Sequence, residues 1–171
     1  TDPPYGLSFM GRNWDQFSAE EYQDWCRQWA EEAYRVVKPG GHLLAFSSNR
    51  THHRLFSGVE NAGFEIRDTV TWHYGNGFPK HTDMFLKPAT EFVVLARRPF
   101  EGSAADCFEE HGTAHLNIDA CRVDSEERPE RTQEDGKTDR NSLDAAEDNS
   151  LQSSGKASGT TTEGRYPSNV V

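Results

Sequence analysis

The sequence predicts an open α/β sheet followed by an irregular, partly disordered C-terminal segment. Three observations carry this expectation. Stretches with helical apolar spacing alternate with short apolar strands over the first hundred residues. Both helical stretches run into glycine stops. Beyond about residue 124 the large apolar side chains nearly vanish.

The first helix is expected from Ser18, because Ser18 with Glu21 forms a capping box and Tyr22, Trp25, Cys26, Trp29, Ala33, Val36 and Val37 recur on one face. Lys38-Pro39-Gly40-Gly41 stops it. Leu43, Leu44, Ala45 and Phe46 then read as a buried strand, and their unbroken hydrophobicity predicts a parallel sheet covered on both faces. A second amphipathic helix is expected over about 49–62, with Leu55, Phe56 and Val59 inward and Gly63 as its stop. Phe64, Ile66, Val70 and Trp72 alternate as a strand interrupted by Asp68. A loop rich in glycine and proline spans 74–90, and Phe92, Val93, Val94, Leu95 and Ala96 form the next buried strand. From 124 to 164 there is no aromatic residue and only Leu143 and Leu151 as large aliphatics, too little to offset ordering entropy. Aromatic and β-branched residues return at 165–171.

With 171 residues, one principal domain is expected. The net charge of −10 is unevenly placed: the first hundred residues carry 11 basic against 12 acidic side chains, and the remainder 7 against 16. The expected folded part is thus almost neutral, and the acidity does not argue against a nucleic-acid partner. No window approaches eighteen consecutive apolar residues and the start lacks a signal-peptide pattern, which predicts a soluble chain. Cys26, Cys107 and Cys121 are few and odd in number, as expected of free thiols in the cytoplasm. The chain opens at Thr1 without an initiator methionine, which reads as a fragment.

Chemistry concentrates in Asp2-Pro3-Pro4-Tyr5-Gly6. The exocyclic amine of adenine or cytosine is a poor nucleophile, since its lone pair is delocalised into the ring. A carboxylate beside a backbone carbonyl can accept both amine hydrogens and leave the lone pair pointing outward, and Pro-Pro restricts φ so that the carbonyls stay in place. An adjacent aromatic ring offers a stacking surface for a base taken out of a duplex. Taken alone, the four letters also fit a rigid turn in which the Asp supports the turn and the Tyr packs.

Around this motif the chain resembles the amino-methyltransferases of DNA that use S-adenosylmethionine, in the permuted class where the catalytic motif comes first. The similarity rests on Thr1 to Gly6, Trp14-Asp15, Val36-Val37-Lys38-Pro39-Gly40-Gly41, Leu86-Lys87-Pro88 and Glu91 to Arg97, in that order. It extends through His111-Gly112-Thr113, Leu116 to Asp119, Cys121-Arg122 and Gly164 to Val170, which resemble phage or prophage modification methylases. The resemblance implies a partial Rossmann-like methyltransferase sheet and a catalytic set of Asp2, Pro3, Pro4 and Tyr5. In that set Asp2 and the Pro3 carbonyl accept the amine hydrogens, Tyr5 stacks on the base, and Thr1 and Asp2 border the cofactor. It implies adenine N6 as the target, with cytosine N4 or RNA as alternatives and a non-catalytic DNA-binding fragment as a further one. Double-stranded DNA with base flipping is the implied partner, with a cognate restriction endonuclease beside it. On this basis 1–100 is the catalytic segment, 101–123 an extension assignable to target recognition, 124–164 a disordered acidic insert, and 165–171 the start of another structured segment.

The family's glycine-rich cofactor turn, of Phe-x-Gly-x-Gly type, has no counterpart here, so it is expected outside this chain. Trp14, Trp72, Phe78, Lys80 and Lys87 are candidate DNA contacts, and Phe100 a candidate for the base pocket. Lys80, His81, Lys87, Arg97 and Arg98 make a mildly basic stretch that reads as phosphate contact or as ordinary surface. Cys107, His111, His115 and Cys121 lack zinc-site spacing, and no metal is expected. His52-His53 reads as a solvated helix face.

Overall fold

A computed structural model describes residues 1–77, 86–124, 128–131, 157–162 and 164–170. They fall into two units, one of Thr1–Leu116 with Ser168–Val171 and one of Asn117–Pro167.

In the first unit, helix α1 (Ala19–Val36) begins where the capping box places it, with Ser18 accepting from the Glu21 amide and Glu21 accepting from Ser18. Tyr22, Cys26 and Ala30 form its buried line, while Val36 at the last turn is exposed. Strand β1 (His42–Ser47), helix α2 (His52–Asn61), strand β2 (Glu65–His73) and strand β3 (Thr90–Arg97) follow in the expected order. The β2 ladder slips between Ile66 and Asp68, where the alternation is broken in the sequence.

Strand direction differs from the expectation of a parallel sheet. The order is β1-β3-β2, and β3 runs antiparallel to both neighbours. Val93 to Ala96 are buried because β3 is the central strand, and a central strand reads as an unbroken apolar run whichever way its neighbours point. Parallel pairing occurs at the two margins instead. Thr1 bonds to both sides of Ala45, donating to the Leu44 carbonyl at 2.8 Å and accepting from the Phe46 amide at 3.0 Å. Asn169 and Val170 lie parallel against β2, with the Thr71 amide donating to the Asn169 carbonyl at 2.8 Å. Among the described residues the expected cover on both faces is also not observed: α1 and α2 bury one face, whereas Leu44 and Trp72 stay exposed.

Helices α1 and α2 approach closely at Gly58, where a Cβ would lie 2.6 Å from the Cys26 Cβ and 2.8 Å from the Gln23 carbonyl oxygen. Gly58→Val gains a little helix propensity but forces two backbones apart. It is expected to cost about 2 kcal/mol, read as a lower urea midpoint at unchanged slope.

A third helix, α3 (Ala104–His111), was not among the expected elements, although Ser103 and Asp106 form a second capping box that the sequence displays. Its Cys107 packs on the turn after α1. The Gly40 carbonyl accepts from Ala114, and the Thr113 hydroxyl donates to the Pro39 carbonyl. The start of the 101–123 extension therefore belongs to the first unit.

In the second unit Val123 pairs with Arg165, and Arg122 donates to the Gly164 carbonyl with its guanidinium over the Tyr166 ring. Within 124–164, expected to be disordered, β4 (Arg128–Arg131) pairs antiparallel with β5 (Ala157–Thr161). Backbone hydrogen bonding supplies this order without a large apolar side chain, so composition did not signal it. Residues 132–156 lie outside those described. No described helix is long and apolar enough to cross a membrane.

Candidate functional site

The Asp2–Tyr5 segment leaves the β1 edge at Thr1 and passes the start of α2. Three side chains fix it. The Tyr22 hydroxyl, from α1, donates to the Pro4 carbonyl at 2.9 Å, and the Thr51 hydroxyl, next to α2, donates to the Tyr5 carbonyl at 2.7 Å. The Tyr5 hydroxyl reaches across to β3 and donates to Glu91 at 3.3 Å. Two consecutive carbonyls are thus occupied, while the Pro3 carbonyl accepts from no described residue. The Asp2 carboxylate beside it is exposed, and no described cation forms an ion pair with it. Two oxygen acceptors consecutive in the chain, the exposed Asp2 carboxylate and the Pro3 carbonyl, are thus carried on a backbone held at Thr1, Pro4 and Tyr5.

The turn that follows is organised by Asp15, which is 1% exposed. Its carboxylate accepts from the amides of Gly6 (2.6 Å), Leu7 (3.1 Å) and Phe9 (2.7 Å), and its own carbonyl accepts from Ser8. Gly6 has φ +66, and a Cβ there would sit 2.7 Å from the Tyr22 ring, so this position needs glycine on both counts.

Burial, followed by the neighbouring Asp2 and Glu91 carboxylates, raises the Tyr5 phenol above its ordinary value and keeps it neutral. Burial likewise raises Tyr22, and it pushes the Cys26 thiol up to about 11. Below their ordinary values these groups are protonated in both states and the stabilisation is complete. Above about pH 9 the unfolded chain loses protons that the folded chain keeps, so stability falls as pH rises. Unfolding midpoints measured between about pH 8 and 11 should decline, and tyrosinate absorbance of Tyr5 and Tyr22 should appear only with unfolding.

The other candidates separate. Trp14 is 56% exposed and pairs with Phe9, their ring centres 6.5 Å apart. Trp72 is exposed and leans on Phe46. Lys87 donates to the Gly75 carbonyl at 2.8 Å, bracing the β2–β3 connection. Phe78, Lys80 and His81 lie outside the described residues. The phosphate reading of the basic stretch does not suit Arg97 and Arg98: Arg97 pairs with Glu65 and covers Phe100, and Arg98 donates to the Val37 carbonyl and covers Tyr34. Phe100 is thereby tied to Arg97 beyond the end of β3. His52 is not simply solvated, since its ring stacks on Phe92 at 4.4 Å, while His53 is exposed. Cys107 packs near the Pro39 carbonyl and Thr113. Among the described residues no three His, Cys, Asp or Glu side chains are gathered as metal ligands.

A sulfonium cofactor needs both a seat and a reacting edge. The Gly40–Gly41 turn is no seat, because α3 covers it: a Cβ on Gly40 would meet the Cys107 sulfur at 2.6 Å. Thr1 and Asp2, which the sequence resemblance sets at the cofactor border, are both exposed. Sequence reasoning missed the residues that hold the site. Asp15 was visible only as part of Trp14-Asp15, Tyr22 only as a core position, and Thr51 and Glu91 gave no signal of their role.

The family model described as DNA methylase, of the N6/N4 type, matches residues 1–169. The type II methyltransferase M2.LlaDCHI of Lactococcus lactis subsp. cremoris is 30% identical over 111 residues, covering 57% of this chain and 41% of that protein. The type II methyltransferase M.HpaI of Haemophilus parainfluenzae is 31% identical over 104 residues, covering 54% and 33%. The chain thus spans less than half the length of these curated relatives. Among solved structures, the M1.HpyAVI–SAM complex aligns with TM-score 0.39 at 25% identity, covering 43% of this chain and 38% of that one. The protein TTHA0409 of Thermus thermophilus aligns with TM-score 0.44 at 19% identity, covering 60% and 44%.

Proposed function

Because this chain belongs to the N6/N4 family of DNA methylases, we propose that its Asp2–Tyr5 segment is the acceptor side of a site that methylates adenine N6 in double-stranded DNA. The observation that carries this reading is the pattern of acceptors: the Pro4 and Tyr5 carbonyls are occupied, whereas the Pro3 carbonyl accepts from no described residue and the Asp2 carboxylate next to it in the chain is exposed.

Two hydrogens on an exocyclic amine match two oxygen acceptors. Accepting both draws the nitrogen toward a pyramidal geometry and frees its lone pair for attack. S-adenosylmethionine, when bound, supplies a methyl group on a sulfonium, with a neutral thioether as leaving group. Asp2 is the group placed to offset the positive charge that develops on the amine and to take its surplus proton. No nucleophile from the chain is required. Tyr5 supplies a ring whose hydroxyl is anchored by Glu91, a fixed surface on which a flipped base can stack. The remaining seat for the cofactor is expected from residues outside this chain. A cognate restriction endonuclease is the natural companion of such an activity, and a cytoplasmic location follows from a DNA substrate.

Choice of adenine rests on Asp at the first position of the motif, as the sequence resemblance implies. The test is transfer of label from tritiated cofactor to unmethylated DNA by the full-length protein, followed by nucleoside analysis. N6-methyl-2′-deoxyadenosine is the expected product. Label on N4 of cytosine would overturn the adenine assignment, and label on neither base would overturn the function.

A further inference from the structure

The segment from Ser8 to Trp14 projects from the candidate site with its apolar side chains outward. Met10 is 79% exposed and Phe9 59%, and Trp14 stands against Phe9. Two short 3-10 turns, Phe9–Gly11 and Asn13–Asp15, give the segment a defined shape, and two non-glycine residues, Ser8 and Met10, are held at φ 55 and 51. Such φ values persist only where surrounding contacts impose them, and here the Asp15 carboxylate clamps the root of the loop through Gly6, Leu7 and Phe9. Exposing a Phe–Met–Trp tip on a constrained turn is unfavourable in water unless a partner covers it.

Charge indicates which partner. The segment contains Arg12 and no acidic residue. Arg27, Arg35, Arg67 and Arg97 of the same unit each pair with a carboxylate, but Arg12 does not. Arg50 is likewise exposed and without an ion pair, and it precedes Thr51, whose hydroxyl holds the Tyr5 carbonyl. Exposed apolar side chains together with exposed guanidinium groups that form no ion pair match a nucleic-acid duplex, where apolar atoms enter between bases and cations meet phosphates.

We propose that Phe9 and Met10 form a preformed wedge that enters the base stack of duplex DNA next to the target base, with Arg12 and Arg50 on the flanking phosphates. The wedge occupies the space a flipped base vacates and so lowers the cost of opening the pair. It rests on the reading of Asp2–Tyr5 as a site for a DNA base.

The test compares wild type with the double variant Phe9→Ala, Met10→Ala of the full-length protein on two duplexes. Both carry the sequence found labelled in the tritium experiment, one with the target base fully paired and one with it opposite an abasic site. A wedge predicts a loss of about tenfold or more in kcat/KM on the paired duplex and a change within about twofold on the pre-opened one, since opening then costs little. Equal losses on both, with an unchanged unfolding midpoint, would overturn the wedge while leaving the methylation site standing. An unchanged rate on the paired duplex would also overturn it. Failure of wild type to label either duplex would overturn the site itself, and the wedge with it.

Discussion

Asp2→Ala is expected to lower methyl transfer by about a thousandfold while leaving DNA affinity within about twofold, because the side chain acts on charge that develops during reaction. Asp2 is exposed and without an ion pair, and the Tyr5 hydroxyl beside it keeps Glu91 as an acceptor when Asp2 is removed, so the unfolding midpoint at neutral pH should hold. Asp2→Asn keeps one oxygen acceptor but has no charge with which to offset the amine, and its rate should fall nearly as far. The measurements are label incorporation at saturating cofactor and fluorescence anisotropy with a labelled duplex. Turnover close to wild type in Asp2→Ala would show that the carboxylate is not the acceptor, whatever the fate of the rest of the site.

Asp15→Ala should act through the fold and through the rate together. Three amides lose their shared, buried charged acceptor, and the cost is expected to be about 3 kcal/mol in urea unfolding. Gly6 and Leu7 are the residues directly after the motif, so the Pro3 carbonyl and Tyr5 ring lose their placement and the rate falls in the fraction that remains folded. Asp15→Asn retains one acceptor oxygen and should recover part of the stability. Asp2→Ala thus changes rate alone, and Asp15→Ala changes rate and stability. If Asp15→Ala unfolds at the wild-type midpoint, the clamp contributes nothing.

Much of the fold is legible in the residues themselves. The capping box at Ser18, the helical face of Tyr22 and Cys26, the stop at Gly40 and the break at Asp68 are local signals, written in residues a few positions apart, and each element forms where they indicate. The Asp2–Tyr5 motif on which the proposed chemistry rests is an equally local signal, since its carboxylate and its proline-held carbonyl are neighbours along the chain. The α3 capping box is an equally local signal, and its eight-residue helix went unexpected only because its apolar face is so short.

What lay beyond reading was every relation between distant residues. An apolar run reports that a strand is covered, and covering is the same for parallel and antiparallel neighbours, so the insertion of β3 between β1 and β2 had no sequence signature. Likewise, Tyr22, Thr51 and Glu91 bring a helix, a helix start and a central strand onto one short segment, and none of them announces its partner. The sequence by itself determined most of the secondary elements of the first unit and singled out the Asp2–Tyr5 motif, because those depend on near neighbours along the chain. Only the tertiary structure decided which carbonyls are occupied and which acid becomes a clamp, because a hydrogen bond depends on distance in space.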